Sequence, residues 1–523
     1  MSRFAGKISY LTGLIQKHGV LGLVMKFVEK KTEKTDRYYR AHFEEFLADE
    51  AELLRQKKDW RSFSYCPKIS IVVPTYRTPE RFLVELLESV MGQSYGNWEL
   101  CLADGSCDGG ASVGKIAAEY AKRDSRIIYK ALLKNGGISE NTNAGFEMAS
   151  GEYIALLDHD DLLAKNALYE MVSEINRRKV RPLFLYSDED KVDETGSMYY
   201  EPHFKTEYNE ELLNHYNYIC HFVLFSKELI HTVGGLNSAY DGAQDYDFVL
   251  RCSENLKKQQ IAHVGKIVYH WRVHGLSTAG FSGNKDYAYE AGIRAVQAHL
   301  DRVTKQALPD QNSVKITAQP AKGREYIELQ RSCGQKTAEL LMEDWVICLG
   351  KDVRPVKGDW AKRLILDAYG HTEPVGMIGG KLITSKGIRG RICSVGYYFL
   401  KDGRIGSNFE GISSKWKGYF RRAVVPQNVS ACSLDFCVIP KRVLEQVGGS
   451  EESLPGPYRD LDFAFRLRDA GYQVLLDARV VACQKQVFRE NDSARMRLLE
   501  RWTAYLKEGD PFYNESIRGN GNI

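Results

Sequence analysis

No C-x-x-C pair occurs anywhere in this 523-residue chain, although it holds 11 cysteines, an odd number. The spacing required for a zinc ribbon or a thioredoxin-type redox motif is therefore missing, and buried reduced thiols are the expected state. No run approaches the ~20 apolar residues needed to span a bilayer. A signal peptide is not expected either, because Lys17, His18 and Lys26 interrupt the early apolar residues. Net charge is only +4, too little to point to nucleic acid. What is present is an ordinary globular balance, 43% hydrophobic and 27% charged. The length calls for two or three domains.

The charge is unevenly spread. Residues 1–40 hold nine Lys/Arg against three acids, a local +6 that leaves the rest of the chain at about −2. Within 8–28, apolar residues recur at mostly helical spacing with lysines between them. Such a basic amphipathic segment can lie on an anionic membrane surface, or it can pack on this protein or on a twin copy. A second, more polar helix is expected over 36–60. These features define an N-terminal helical region, 1–65, and an expectation of peripheral contact with the inner face of the cell membrane from a cytoplasmic location.

From Pro67 the texture changes. Lys68–Pro74 is a short β-rich run, followed by helical spacing of Phe82, Leu83, Leu86, Leu87 and Val90. Strand, helix, strand, helix, strand at these intervals predicts a doubly wound α/β sheet with ligands bound beyond the carboxyl ends of its strands. Acids cluster at three expected strand ends: Asp104; Asp158-His-Asp-Asp161; and Asp245 with Asp247. Buried carboxylates are costly unless they meet a cation or donor, and D-x-D at a strand end suits a hard divalent ion. Taken alone, Asp158 or Asp160 reads equally as a helix-capping Asp.

The ordered set Ile69-Ser-Ile-Val-Val-Pro-Thr-Tyr76, Leu87-Glu-Ser-Val-Met-Gly-Gln-Ser-Tyr95 and Asn135-Gly-Gly-Ile-Ser-Glu-Asn-Thr-Asn-Ala-Gly145 continues through Gly151–Asp161 and Tyr186–Lys191. It ends with Gly242–Asp247 and His270-Trp-Arg-Val-His-Gly-Leu-Ser277. Over about 210 residues this resembles the family-2 glycosyltransferases of GT-A fold, in the branch that builds bacterial O-antigens and rhamnans. The resemblance implies an inverting transferase that uses Mg²⁺ or Mn²⁺ and a UDP- or dTDP-sugar. Its acceptor would be a glycan or lipid-linked glycan.

Roles carry over position by position. Pro74, Thr75 and Tyr76 wall the base, Asp104 accepts from it, Asn143 holds the nucleotide side and Asp158 faces the ribose or sugar. Asp160 and His274 ligate the metal, and Arg272 supplies cationic donors to the diphosphate. Asp245 is the catalytic base and Asp247 its rival, the latter also able to hold the following helix or the acceptor. Asp188, Asp190 and His221 line the acceptor side, with a solvated acidic turn as the alternative. The catalytic domain spans 66–305.

Residues 306–523 echo it. Leu349-Gly-Lys-Asp-Val-Arg-Pro355 resembles the metal-site strand end, while Val447-Gly-Gly449 and Tyr458-Arg-Asp-Leu-Asp-Phe463 echo Val233-Gly-Gly235 and Gln244–Phe248. Only ~25 residues precede Cys348 after the break near Gly323, so the nucleotide-binding half is nearly absent. A degenerate GT-A-like domain follows from this, serving acceptor binding or homodimerisation. Its rival is a second active site using Asp352 and Asp460. For the whole chain the competing readings are a catalytically dead glycan-binding protein and a nucleotidyltransferase. The latter lacks its basic glycine-rich loop, since Pro74-Thr-Tyr-Arg-Thr-Pro79 is not one.

Overall fold

The computed structural model describes residues 34–108, 111–275, 284–306, 314–386, 390–484 and 490–517. The amphipathic segment expected over 8–28 lies outside them. The chain divides into two compact units: residues 39–209 with 216–303, and residues 304–523 with 210–215 and 1–38. Among the described residues no helix is long and apolar enough to cross a membrane.

The helix expected over 36–60 is two helices, Lys34–Ala41 and Glu50–Asp59. The second begins where the Asp49 carboxylate accepts from the Glu52 N–H at 2.7 Å, satisfying a donor that has no intrahelical partner.

The first unit is built on nine strands: β1 Ile69–Thr75, β2 Trp98–Asp104, β3 Ile127–Ala131, β4 Tyr153–Leu156, β5 Leu162–Leu163, β6 Phe184–Asp193, β7 Tyr199–His203, β8 Val223–Ser226 and β9 Ile261–Val273. They lie in the order β3-β2-β1-β4-β8-β6-β9-β5, with β7 beside β6. Every residue of β1 and β2 is buried, as a parallel sheet covered on both faces requires. The helix Glu80–Met91 buries Phe82, Leu83, Leu86, Leu87 and Val90, the stripe that the 3.6-residue period places on one side. The helix Gly137–Met148 sits so close to β1 that a Cβ on Gly145 would come within 2.4 Å of the Val72 side chain.

β1 is parallel to β2 and β4, and β2 to β3. β8 runs antiparallel to both β4 and β6, and β6 is parallel to β9. Two reversals restore direction, so the carboxyl ends of β1, β2, β4, β6 and β9 share one rim. That rim carries Asp104, Asp158–Asp161, Asp188–Asp190 and Arg272–His274.

The second unit contains a seven-stranded sheet in the order 345–349, 436–440, 375–383, 473–484, 353–355. Successive pairs are antiparallel, antiparallel, parallel and antiparallel. This is the pattern of β4-β8-β6-β9-β5. Nothing among the described residues of this unit corresponds to β1–β3. A separate antiparallel hairpin, Lys315–Pro320 with Ile327–Ser332, precedes the sheet.

The correspondence reaches single residues. Tyr153 pairs with Ser226, and Trp345 pairs with Pro440, each at the last position before a short helix. At the far edge Leu162 pairs with His270 and Arg354 with Cys483. Both registers place Asp160 on Asp352, Asp158 on Gly350 and Asp161 on Val353. In the first unit Arg251 pairs with Asp247 four residues earlier and donates to the Val233 and Gly235 carbonyls. Arg466 does the same with Asp462, Val447 and Gly449. The matched clamps set Asp245 on Asp460 and Gln244 on Arg459.

Candidate active site

β4 delivers the turn Asp158–Asp161 to the rim of the first unit. Asp161 is buried and committed: its carboxylate accepts from the Tyr269 hydroxyl at 2.5 Å and the Arg272 backbone N–H at 2.7 Å. Burial, with Asp160 and Asp158 adding their charge, pushes this carboxyl well above the ordinary range. Asp160 faces His274, Oδ2 to Nε2, at 2.7 Å. Asp158 is half-exposed and lies 3.7 Å from His221 Nε2.

The His221 ring stacks on Tyr269 at 4.6 Å and 7°, and its Nδ1 lies 3.0 Å from Glu189. Burial by itself lowers this imidazole, but Cys220 and the Glu189 carboxylate more than offset it and hold the ring well above its usual value. The ring stands between two acids, Glu189 and Asp158. From Cys220 the contacts continue: its N–H donates to Asn217 Oδ1 at 3.1 Å, and Asn217 Nδ2 donates to Asp245 Oδ2 at 2.8 Å. Asp245 opens the helix Gln244–Glu254. Loss of solvent raises its carboxyl, His221 opposes this and Asp158 adds to it. A raised carboxylate is a stronger base than an ordinary one.

One donor atom each from Asp158, Asp161 and His221 lie within 4.8 Å of one another. The metal ligands expected from sequence, Asp160 and His274, instead pair with each other one turn of chain away. Both oxygens of Asp161 are spent, which leaves Asp158, Asp160 and the two imidazoles as the donors that can turn toward a cation. The carboxylates Asp158 and Asp160 suit Mg²⁺ or Mn²⁺, hard ions that prefer oxygen ligands.

Several side chains expected to face ligand hold the fold. Asp104 is buried; Oδ1 accepts from Thr75, from the Ser106 N–H and from the Ser106 hydroxyl, and Oδ2 from Tyr129 at 2.8 Å. It ties β1, β2 and β3 together. Pro74 and Thr75 are buried in β1, while Tyr76 is exposed with the Arg77 guanidinium over its ring. Asn143 accepts from the Leu236 N–H and donates to the Leu236 carbonyl, so it clamps a loop.

Asp188 meets His263 at 2.7 Å, and Asp190 meets His270 at 2.6 Å and the Tyr39 hydroxyl at 2.5 Å. These two acids are core partners, not an acceptor-facing or solvated turn. Asp247 is buried on Arg251. Arg272 is wholly buried, and its guanidinium donates to the Asp160 and Glu194 carbonyls and to Glu85. It braces the acidic turn and faces no open ligand space. Glu85, Asn217 and Tyr269 escaped the sequence reading because their partners lie roughly 30 to 190 residues away in the chain.

Residues 70–234 match the family model described as glycosyl transferase family 2. This stretch is a family-2 glycosyltransferase domain. Among curated proteins, an uncharacterized protein, y4gI, of Sinorhizobium fredii is 32% identical over 476 residues, covering 78% of this chain and 52% of that protein. The O-antigen biosynthesis protein RfbC of Myxococcus xanthus is 26% identical over 535 residues, 86% of this chain and 40% of that one. The chain thus spans about half the length of the curated relatives it matches. Among solved structures, S. aureus TarS 1–349 in complex with UDP shares 20% identity at a TM-score of 0.35, covering 45% of this chain and 65% of that one. A score that low transfers no residue role. The family-2 domain ends its match before Asp245, so the helix carrying that carboxylate rests on the geometry above.

Proposed function

We propose that the chain is an inverting, metal-dependent glycosyltransferase that moves a sugar from a UDP- or dTDP-sugar to a hydroxyl of a growing, lipid-linked surface polysaccharide. The observation that carries this reading is the chain of contacts from Asp158 and His221, 3.7 Å apart, through the adjoining Cys220 N–H and Asn217 to Asp245. This chain of contacts supports a base at Asp245 close to a cluster of cation donors, just beyond the residues 70–234 of the family-2 match. Asp245 takes the proton of the acceptor hydroxyl as its oxygen attacks the anomeric carbon from the face opposite the leaving group, which inverts configuration. Asn217 fixes the Asp245 carboxylate, and the His221 ring stands between Glu189 and Asp158.

A Mg²⁺ or Mn²⁺ ion held by Asp158 and Asp160, with His221 or His274, would neutralise charge on a departing nucleoside diphosphate. Stripping divalent ions with EDTA should reduce donor hydrolysis to background, and Mn²⁺ or Mg²⁺ should restore it. Full activity in EDTA would remove the metal from the scheme. O-antigen biosynthesis by one relative supports a polysaccharide product. The basic excess of residues 1–40 supports contact with an anionic membrane where a lipid-linked acceptor resides.

The second unit is read as catalytically inert. It keeps Asp352 and Asp460 but has Gly350 and Val353 where the first unit has Asp158 and Asp161. The residue corresponding to Gln244 is Arg459, whose Nη2 reaches Asp435 at 3.2 Å and Asp460 at 3.3 Å. Burial, opposed by Arg459, lifts the Asp460 carboxyl to about 7. A guanidinium thus occupies the place where a base would meet an alcohol. Asp460→Asn should leave turnover and product linkages unchanged; a lost linkage would make the protein bifunctional.

A further inference from the structure

The second unit holds an open cavity of about 460 Å³ between its hairpin, the helix Trp360–Asp367 and the strand Gln473–Gln484. It lies apart from the Asp352, Asp435 and Asp460 positions. Four cations line it, Arg331, Arg363, Arg479 and Lys362, against three acids, Glu328, Asp359 and Asp367. Arg331 is spent on Glu211 and Asp367. Arg479 is not: Nε and Nη2 grip Asp477 at 2.8 and 3.0 Å, but buried Nη1 has no hydrogen-bond partner. Nη1 lies 3.9 Å from a Glu328 oxygen and Nη2 lies 3.6 Å from Asp367, both beyond hydrogen-bonding reach.

Arg363 uses Nε on Asp477, and exposed Lys362 makes no ion pair among the described residues. Burial first, and then the neighbouring Asp477, raises the Asp367 carboxyl to about 8. Glu211 and Asp477 pair with three of these cations, so an incoming anion meets the donors left over, exposed Lys362 and Arg479 Nη1. A buried guanidinium N–H left unmatched costs free energy, and an oxyanion satisfies it with a charge-assisted bond.

We propose that this cavity binds an oxyanion, carboxylate or phosphate, carried on a small polar molecule such as an acidic sugar. Its volume falls within the ~300–1,000 Å³ typical of ligand sites and exceeds the needs of a bare ion. No aromatic side chain lines it, so charge and hydrogen bonding supply the affinity. The inference does not depend on catalysis in the first unit, because its readout is binding alone.

The test is calorimetric titration of the full chain, in metal-free buffer, with inorganic phosphate, glucuronate and glucose. Saturable binding of phosphate, glucuronate or both, with glucose silent, is expected; which of the two binds identifies the oxyanion. Arg479→Gln should weaken binding roughly tenfold or more. Should that variant not fold, Lys362→Glu at the exposed rim decides, with an expected loss of about fivefold. Equal binding of glucose, no saturable binding of either anion, or affinity unchanged in the folded variants would overturn the proposal.

Discussion

Replacing Asp245 by asparagine should abolish sugar transfer while leaving nucleotide binding and folding nearly intact. Removal of a positioned general base costs about 10²–10⁴-fold in rate. The asparagine keeps an oxygen to accept from Asn217, whose hydrogen bond is the side-chain contact seen at the native carboxylate, so the local structure survives. Loss confined to kcat with donor affinity unchanged marks an interaction made in the transition state. The native enzyme should also lose rate as pH falls through the Asp245 titration. Burial moves that limb above the range of an ordinary carboxylate. Turnover within twofold of normal in the variant, or an unchanged acid limb, would refute the assignment.

Arg272→Met should destabilise the first unit by about 3 kcal/mol. Breaking a buried ion pair from one side costs about 3–5 kcal/mol, and the lower end applies because Glu85 is 31% exposed. The Asp160 and Glu194 carbonyls lose their donor as well. Urea unfolding gives the stability, and adding Glu85→Gln should recover part of it, since the stranded carboxylate is then gone. If the variant kept full stability and lost only affinity for diphosphate, the ligand-binding role suggested by the sequence would be reinstated.

That contrast shows where sequence reading succeeded and where it ran out. β1, β2 and the helix Glu80–Met91 were legible because parallel strands buried on both faces are apolar runs and an amphipathic helix repeats every 3–4 residues. The Asp158–Asp161 turn was legible as a strand end rich in acids. β5, two residues long, and the antiparallel insertion of β8 carry too little pattern to be read. The charged residues have a second use that the sequence hid. Asp188, Asp190 and Arg272, expected to face ligand, are each paired inside the fold. Asp104 accepts from the neutral donors of Thr75, Ser106 and Tyr129, and Asp247 holds its own helix, as one of its two readings had it. A composition gives no sign that Asp190 meets Tyr39, 151 residues earlier, or that Arg272 meets Glu85, 187 residues away. A conspicuous charge in a chemical motif is equally compatible with a buried brace, and only its partner separates the two.

The five-strand pattern shared by both units also has a historical meaning. In the second unit it stands without the three leading strands and with its arginine clamp intact, a relation that partial duplication of one scaffold accounts for. The two copies differ most plainly at the acidic turn, where Gly350 and Val353 stand in place of Asp158 and Asp161.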